Sequence, residues 1–444
     1  MKVSPFSLRS CVARAQAALL LTLPAYADLH DAIDDGAAKV EPKVVEWRRD
    51  IHQHPELSNR EQRTAALVAK HLKSLGITTK TGVAHTGVVG VLKVGKPGGV
   101  VALRADMDAL PVIEQTGLPY ASTVKSTYQG QAVGVMHACG HDTHVAMLMG
   151  VATVLAGMRD QLPGTVKFVF QPAEEGAPPG EEGGAKMMVD EGVLADPAPT
   201  AIFGLHVGQE QPVGKASYRA KGMMAAAQRF EIRIKGQQTH GAAPWAGVDP
   251  VVVGAQIVSA LQTIVSRRVD VTSEPAVVTV GTFQAGTRYN IIPAEAVLTG
   301  TIRTFAPETT KLVHQQVDAI AKGVAQSMDA TAEVTIDVGS PVTYNDPALA
   351  QKMRPTLERI YGEANVVESQ RVTVAEDFSE FQQKVPGLFF FIGVRPRDVP
   401  PEKAIPNHSP LFFADETAFR DGVRVMANLA VDYLASGATS ATTP

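Results

Sequence analysis

Apolar positions along this chain follow two alternating periods, one typical of helices and the other of strands. Helical spacing occupies residues 41–76, 141–155, 349–360 and 418–434. Runs of β-branched and aromatic residues predict strands at 88–94, 100–110, 165–170, 201–207 and 388–394. Strands that alternate with helices favour an α/β fold, in which a mixed sheet is covered by helices on both faces.

A different order of elements is predicted between residues 214 and 338. The pattern there is strand, helix, strand, strand, helix, strand, at 229–234, 250–266, 276–284, 296–305, 308–327 and 332–338. This βαββαβ order is the ferredoxin-like split unit. Because the α/β pattern resumes afterwards, we expect a small α+β domain inserted into a larger one. The larger domain then comprises residues 28–213 and 339–436, followed by a tail at 437–444.

The N-terminus has the order of a secretory signal peptide. Basic residues precede an apolar run at residues 15–27, which ends in the small-residue pattern Ala25-Tyr26-Ala27. The run is too short to span a bilayer, which argues against the alternative of a membrane anchor. We therefore expect residues 1–27 to be removed and the protein to be exported, to the periplasm or beyond.

Removal of that segment would leave a single cysteine. Cys11 and Cys139 are the two cysteines of the sequence, and only Cys139 lies beyond residue 27. An exported chain with one cysteine forms no internal disulfide, and we expect such a thiol to be buried or bound to a metal.

Size and charge fit two soluble domains and exclude one class of partner. The 444 residues, 45% of them hydrophobic, are enough for two separate cores. The 41 basic and 45 acidic residues give a net charge of -4. No overall positive field attracts nucleic acid, and after signal cleavage no membrane partner is expected.

Potential metal ligands are concentrated in five segments, most of them at or just beyond the carboxyl ends of predicted strands. The segments are residues 104–108, 137–144, 171–176, 204–207 and 407–410. Open α/β sheets bind ligands at this edge. A thiolate, imidazoles and carboxylates together suit a borderline metal, and Gly140 lets Cys139 and His141 approach one site. Each residue alone would be ordinary structure, but their joint occurrence predicts a metal site.

These segments and several others resemble the M20 metallopeptidases. The similarity is to the amidohydrolase branch, with its hippurate hydrolases, N-acyl-amino-acid amidohydrolases and plant auxin-conjugate hydrolases. It extends from about residue 44 to residue 434. The matching segments are residues 47–56, 104–111, 137–144, 171–175, 204–207, 239–244, 376–379 and 407–410.

The resemblance implies a site for two divalent metal ions. Cys139 would bridge both ions, His141 and His206 would bind one of them, and Glu175 and His408 would bind the other. A cysteine bridge suits zinc; manganese is the other leading expectation, and cobalt and nickel are alternatives.

The same resemblance implies the reaction, which is hydrolysis of the amide bond in N-acyl amino acids or related small conjugates. Glu174 would be the general base that deprotonates water and then protonates the leaving amine. Asp108 would orient a ligand. Asp106 stands where other M20 branches carry a metal-binding histidine, so it is not expected to be a ligand.

The inserted domain would serve as a lid and as the contact of a homodimer. By resemblance, His240 and Asn290 bind substrate or stabilise the oxyanion, with His240 reaching the partner's site, and Arg303 is a candidate clamp for a substrate carboxylate. Two alternatives remain: a metallocarboxypeptidase or dipeptidase on the same scaffold, and a non-catalytic binding protein. The complete set of ligands argues against the last.

Overall fold

The computed structural model describes residues 23–93 and 96–437. Most of the predicted signal peptide, residues 1–22, and the predicted tail beyond residue 437 lie outside the described residues. The first described helix begins at Leu23.

A sheet of eight strands forms the larger domain, in the order β1-β2-β6-β3-β7-β18-β8-β17. Strands β3, β6, β7 and β18 run parallel to one another. Strand β1 pairs antiparallel with β2, β2 with β6 and β8 with β18, whereas β17 runs parallel to β8. The sheet is therefore mixed, as predicted. The bounds are β1 Thr78–Val83, β2 Gly87–Lys93, β3 Lys96–Asp106, β6 Pro163–Gln171, β7 Ala201–Pro212, β8 Ala216–Tyr218, β17 Val366–Glu368 and β18 Gly387–Arg395.

Helices cover both faces of this sheet. On one face, Leu23–Gln53, His141–Gly157 and Phe419–Ala435 pack against one another and bury the main core. A second core on the opposite face includes residues of the short helices Gly184–Asp190 and Phe378–Gln382. The remaining helices of the domain are Gln62–Ser74 and Pro347–Tyr361.

The helical pattern predicted over residues 41–76 is two helices, not one. The first ends at Gln53 and the second begins at Gln62. Pro55 explains the break, because a proline disfavours helical geometry at the residue before it. Asn59 in the connection has a φ of 61°, a left-handed conformation that no helix continues through.

The inserted domain has its own sheet and core. Four antiparallel strands lie in the order β12-β14-β10-β15, which is the ferredoxin-like arrangement. Helices Pro250–Arg267 and Pro307–Gln326 pack on the sheet around a separate apolar cluster. Both begin with proline at the first helical turn, and the Asp249 carboxylate caps the first. The strands are β10 Gln228–Lys235, β12 Ala276–Ala285, β14 Glu295–Thr304 and β15 Thr331–Asp337.

The fold class is confirmed, but the first boundary of the insertion is corrected. Strand β8 follows residue 214, yet it pairs with β18 and β17 in the large sheet. The inserted sheet begins only at Gln228. Three short pairs complete the strands: β4 Lys125–Tyr128 with β5 Gln131–Gly134, β9 Lys221–Met224 with β16 Thr343–Asn345, and β11 Thr239–His240 with β13 Ile291–Ile292.

One described helix, Pro250–Arg267, is long and apolar enough to cross a membrane by length and composition. Its apolar side, including Val253, Ile257 and Leu261, is buried in the core of the inserted domain. Packing in the core of the inserted domain therefore explains the apolar character of this helix.

Candidate metal centre

The carboxyl ends of the parallel strands place the chemistry-bearing side chains along one edge of the large sheet. Asp108 lies two residues beyond β3, and Glu174 and Glu175 follow the end of β6. His206 lies within β7, and His408 is in the connection after β18. These positions meet because the ends of neighbouring parallel strands lie side by side.

Cys139 and His141 reach the same place from the start of a buried helix. The helix begins at His141, and Gly140 before it has a φ of 95°. A Cβ atom on Gly140 would lie 2.4 Å from the Cγ2 of Val207, so only glycine fits this turn. The tight turn lets the thiol and the first imidazole of the helix face one point.

Five side chains form two groups that share the thiol, and we call them the cysteine cluster: Cys139, His141, Glu175, His206 and His408. The candidate ligand atoms of Cys139, His141 and His206 all lie within 4.8 Å of one another, as do those of Cys139, Glu175 and His408. The Cys139 Sγ is 3.4 Å from the His206 Nε2. The Glu175 Oε1 is 3.1 Å from the His408 Nε2. The structure thus brings together all five residues predicted as ligands.

Hydrogen bonds fix two of the imidazoles in the form that binds metal. The Nδ1–H of His141 donates to the Asp108 carbonyl at 2.9 Å, and that of His206 donates to the Val207 carbonyl at 2.8 Å. The Nε2 of each ring is therefore the nitrogen that is left to bind a metal ion. The buried His141 Nε2 has no hydrogen-bond partner among the described residues. An unpartnered buried acceptor facing a thiol and a carboxylate fits a metal ion.

The electrostatics of the cluster also favour a cation. Burial opposes protonation of His141, but Asp106 and Asp108 raise its pKa to about 10. Burial, with Glu175 and Glu174 nearby, raises the pKa of the Cys139 thiol well above its usual range. Excess negative charge thus holds protons in this pocket, and a divalent cation would satisfy the same charge.

His144 and Asp106 lie close to His141 but have other partners. The Nδ1–H of His144 donates to the Asp106 Oδ1 at 2.6 Å, and its Nε2 accepts the Val207 N–H at 3.0 Å. The Asp106 Oδ2 accepts from Arg104 at 2.6 Å. Both ring nitrogens of His144 and both Asp106 oxygens are occupied, so this pair supports the cluster from behind.

Asp108 holds the two adjacent glutamates by their backbone. Its Oδ1 accepts the Glu174 N–H at 3.1 Å, and its Oδ2 accepts the Glu175 N–H at 3.0 Å and the Ser58 hydroxyl at 2.7 Å. The carboxylate is fully buried. It is therefore in a position to orient Glu174, Glu175 and His141 together.

Glu174 faces the cluster on one side and an acidic pocket on the other. Its Oε2 is 3.8 Å from the His141 Nε2, and its carboxylate lies within 4.8 Å of those of Glu376 and Asp377. Burial and then the charge of Glu376 raise the pKa of Glu174 well above its usual range. A carboxyl that binds a proton readily is what a general base requires.

Two of the three predicted substrate-binding residues lie together at one end of the inserted domain. His240 pairs with Ile291 across β11 and β13, and the Gly241 N–H donates to the Asn290 carbonyl at 2.9 Å. His240 is exposed. We call this pair of side chains, His240 and Asn290, the distal tip.

Arg303 does not join the distal tip. It lies in β14 opposite Val277, eight positions beyond Glu295, which is roughly 27 Å along an extended strand. At that end the Ala226 N–H bonds to the Thr304 carbonyl, where the chain enters from the larger domain. The inserted domain therefore offers two separate polar surfaces, one near its connection and one far from it.

The sequence assigned no role to several residues that support the site, although Arg104, Glu376 and Asn407 lie in segments that it singled out. The buried Glu61 accepts the Ala173 N–H at 2.9 Å, and burial beside Asp108 raises its pKa to about 7. The Asn407 Nδ2 donates to the Cys139 carbonyl at 2.8 Å, next to His408. Arg104 bonds to Glu376 at 2.9 Å. Nothing in the local sequence marks Glu61, because its partners are remote in the chain.

Fold and site together define a two-domain metal-dependent hydrolase. The sequence profile of peptidase family M20/M25/M40 matches residues 102–432, about three quarters of the chain, and the protein belongs to this family.

Two relatives and one solved structure illustrate the family. Thermostable carboxypeptidase 1 of Saccharolobus solfataricus is 39% identical over 412 residues, which are 91% of this chain and 99% of that protein. N-acetylcysteine deacetylase of Bacillus subtilis is 37% identical over 390 residues, 88% of this chain and 96% of that protein. The Bacillus subtilis YXEP protein, described as a dinuclear metal-binding peptidase of the M20 family, superposes with a TM-score of 0.75 at 35% identity, covering 90% of this chain and 99% of that one.

Proposed function

We propose that this protein hydrolyses the amide bond of N-acyl amino acids or related small conjugates, with two divalent metal ions and Glu174 as general base. The observation that carries the proposal is the pair of ligand groups that share Cys139 beside the Glu174 carboxylate. The deacetylase relative, whose name states an N-acyl amino acid, supports this substrate class.

The residues present fit two metal ions, with zinc and manganese the leading candidates. Cys139 would contact both, His141 and His206 would hold one, and Glu175 and His408 the other. When bound, such ions supply a water of lowered pKa and polarise the scissile carbonyl.

Glu174 moves the proton in this scheme. Its carboxylate takes a proton from the attacking water and returns it to the leaving amine nitrogen. The Asp108 carboxylate accepts the backbone N–H groups of both Glu174 and Glu175. These bonds fix the backbone from which the two side chains leave in different directions. One glutamate can therefore face the substrate while its neighbour binds metal.

The two polar surfaces of the inserted domain divide substrate binding. Arg303, near the connection to the larger domain, would bind the substrate carboxylate within its own chain. The distal tip would contact the substrate of a partner subunit in a homodimer. The exposure of His240 and the exposed edge strand β12 support such an assembly.

A carboxypeptidase activity is the second candidate, favoured by the relative from Saccharolobus solfataricus. One panel separates the two: purified mature protein with hippurate, N-acetyl amino acids and dipeptides. The proposal predicts that kcat/KM is highest for the N-acyl amino acids. Faster cleavage of dipeptides would favour the second candidate, and no cleavage of any of these would contradict both.

We also propose that the protein is exported after cleavage before Asp28. The support is the order of basic residues, apolar run and Ala25-Tyr26-Ala27 in the sequence. N-terminal sequencing of protein from the envelope fraction should give Asp28 as the first residue. An intact Met1 on cytosolic protein would contradict this.

A further inference from the structure

The turn that carries the two adjacent glutamates has an unusual backbone. Ala173 directly precedes Glu174, and its φ is 52°. This left-handed conformation is unfavourable for a residue that carries a Cβ, so neighbouring contacts must hold it. Ala173 is buried, and its N–H points into the protein. The direction in which Glu174 and Glu175 leave the turn depends on this one residue.

Glu61 supplies the contact that holds the turn. Its Oε1 accepts the Ala173 N–H at 2.9 Å and the Asn59 N–H at 3.0 Å, and its Oε2 accepts the Thr86 hydroxyl at 2.5 Å. The side chain is fully buried. It makes no capping bond to the helix that begins at Gln62. The carboxylate therefore serves the turn and not its own helix.

Together, Glu61 and Asp108 hold three consecutive backbone positions of the turn. Three consecutive N–H groups, those of residues 173, 174 and 175, donate to two buried carboxylates. Asp108 in turn accepts the Ser58 hydroxyl, and the Asn59 Nδ2 donates to the Glu182 carbonyl at 2.9 Å, on the far side of the same connection. Residues 58–61 thus support both ends of the segment that carries the glutamates.

We propose that Glu61 is a positioning residue, which holds Ala173 in its left-handed conformation and thereby directs Glu174 to the substrate and Glu175 to the metal. This rests on the proposed function for the role of Glu174. The orientation of Glu175 toward the metal is a separate matter, and metal binding tests it without any substrate.

The first test compares Glu61→Ala with Glu56→Ala. Glu56 is the matched control, because its carboxylate also accepts two backbone N–H groups, of Arg63 and Thr64, but at a helix start. We expect Glu61→Ala to lower kcat about 10- to 100-fold with KM unchanged, the usual cost of losing a supporting residue. Glu56→Ala should keep the kcat of the wild type.

Zinc titration of the metal-free protein gives the second readout. In Glu61→Ala, one of the two zinc ions should bind about 10- to 100-fold more weakly and the other as in the wild type. If the wild type binds two zinc ions but hydrolyses no amide, the proposed function fails, while this isotherm still tests Glu61. Two zinc ions bound with wild-type affinity by a folded Glu61→Ala variant would overturn the inference.

Two further variants separate positioning from folding. Glu61→Gln keeps an acceptor oxygen for both N–H groups and a polar group for Thr86, so it should recover most of the lost kcat. Adding Ala173→Gly to Glu61→Ala should also raise kcat, because glycine adopts the left-handed conformation without steric cost. If Glu61→Ala is too unstable to purify, Ala173→Val, with Glu61 intact, should show the same loss of kcat and zinc affinity. Normal behaviour of Ala173→Val would overturn the inference.

Discussion

Most of the cysteine cluster is held more firmly by the chain than the distal tip is, and His408 is its one exposed member. In the cysteine cluster, Cys139 and His206 are each 7% exposed and His141 is fully buried. Hydrogen bonds to backbone carbonyls orient both of these imidazoles. At the distal tip His240 is exposed, and its ring makes one described hydrogen bond, to the Ala242 N–H two residues away.

The difference indicates which part of the reaction each region can perform alone. Preorganised ligands bind metal without a large ordering cost, so we expect one chain to contain what metal binding and proton transfer require. The side chain of an exposed histidine on a short hairpin takes one fixed orientation only when it packs against another surface. We therefore expect changes in the cysteine cluster to abolish chemistry, and changes at the distal tip to act through assembly and substrate binding.

Metal removal should have the largest effect. Treatment with a chelator is expected to abolish hydrolysis, and divalent zinc or manganese should restore it, because the cluster would supply an activated water only with metal bound. On the same samples, a thiol reagent should modify Cys139 slowly in the metal-loaded protein and quickly after chelation. Cys139→Ser, which has no thiol at position 139, is the control for reaction of the reagent elsewhere. Equal rates in both states would rule out a metal-bound thiolate.

Asp108→Asn should come next. An amide presents one acceptor oxygen, so it cannot accept both the Glu174 and the Glu175 N–H groups as the carboxylate does. We expect kcat to fall about 10- to 100-fold and zinc affinity to fall with it. Asp50→Asn, which changes a partly exposed carboxylate paired with Arg63, is the matched control. Unchanged kcat in Asp108→Asn would mean that catalysis does not depend on the hydrogen bonds from Glu174 and Glu175 to Asp108.

The distal tip can be tested by mixing two inactive variants. His240→Ala keeps Glu174, and Glu174→Gln keeps His240, so a mixed dimer would contain one complete site if His240 acts on its partner. Refolding the two together should restore about a quarter of wild-type activity, since half of the dimers are mixed and each has one complete site. Mixed dimers without activity would show that His240 acts within its own chain or not at all.

Arg303→Lys should have the smallest effect. Lysine keeps the charge but loses the planar pair of donors that matches a carboxylate. We expect KM for an N-acyl amino acid to rise about tenfold with kcat unchanged. Arg229→Lys, on the neighbouring strand β10 of the same sheet, is the control. An unchanged KM would remove Arg303 from the substrate site.

Sequence patterns predicted most of the fold and the ligand types, but not the contacts between remote segments. The periods that predicted strands at 165–170 and 201–207 match β6 and β7, and the neighbouring positions of parallel strands explain why Glu175 and His206 both lie near Cys139. The left-handed Asn59 and the partners of Glu61 depend on tertiary packing, which no local period records.

The inserted domain shows the same limit. Its βαββαβ order was predicted correctly, and His240, Asn290 and Arg303 were all predicted to bind substrate, but the sequence does not show how far apart these residues lie. Only the strand register shows that Arg303 lies at the opposite end of the sheet. Order along the chain specifies which elements form, whereas register and packing decide which side chains meet.

Bound metal and turnover, measured on the same samples of wild type, Glu174→Gln and Glu182→Gln, test directly whether Glu174 is the general base of a two-metal site. Glu182 is an exposed glutamate of the same connection and serves as the control. We expect two metal ions in all three proteins and a loss of kcat on the order of 10²- to 10⁴-fold in Glu174→Gln alone, as the assignment of Glu174 as general base requires. Near-normal kcat in Glu174→Gln with both metals bound would contradict it.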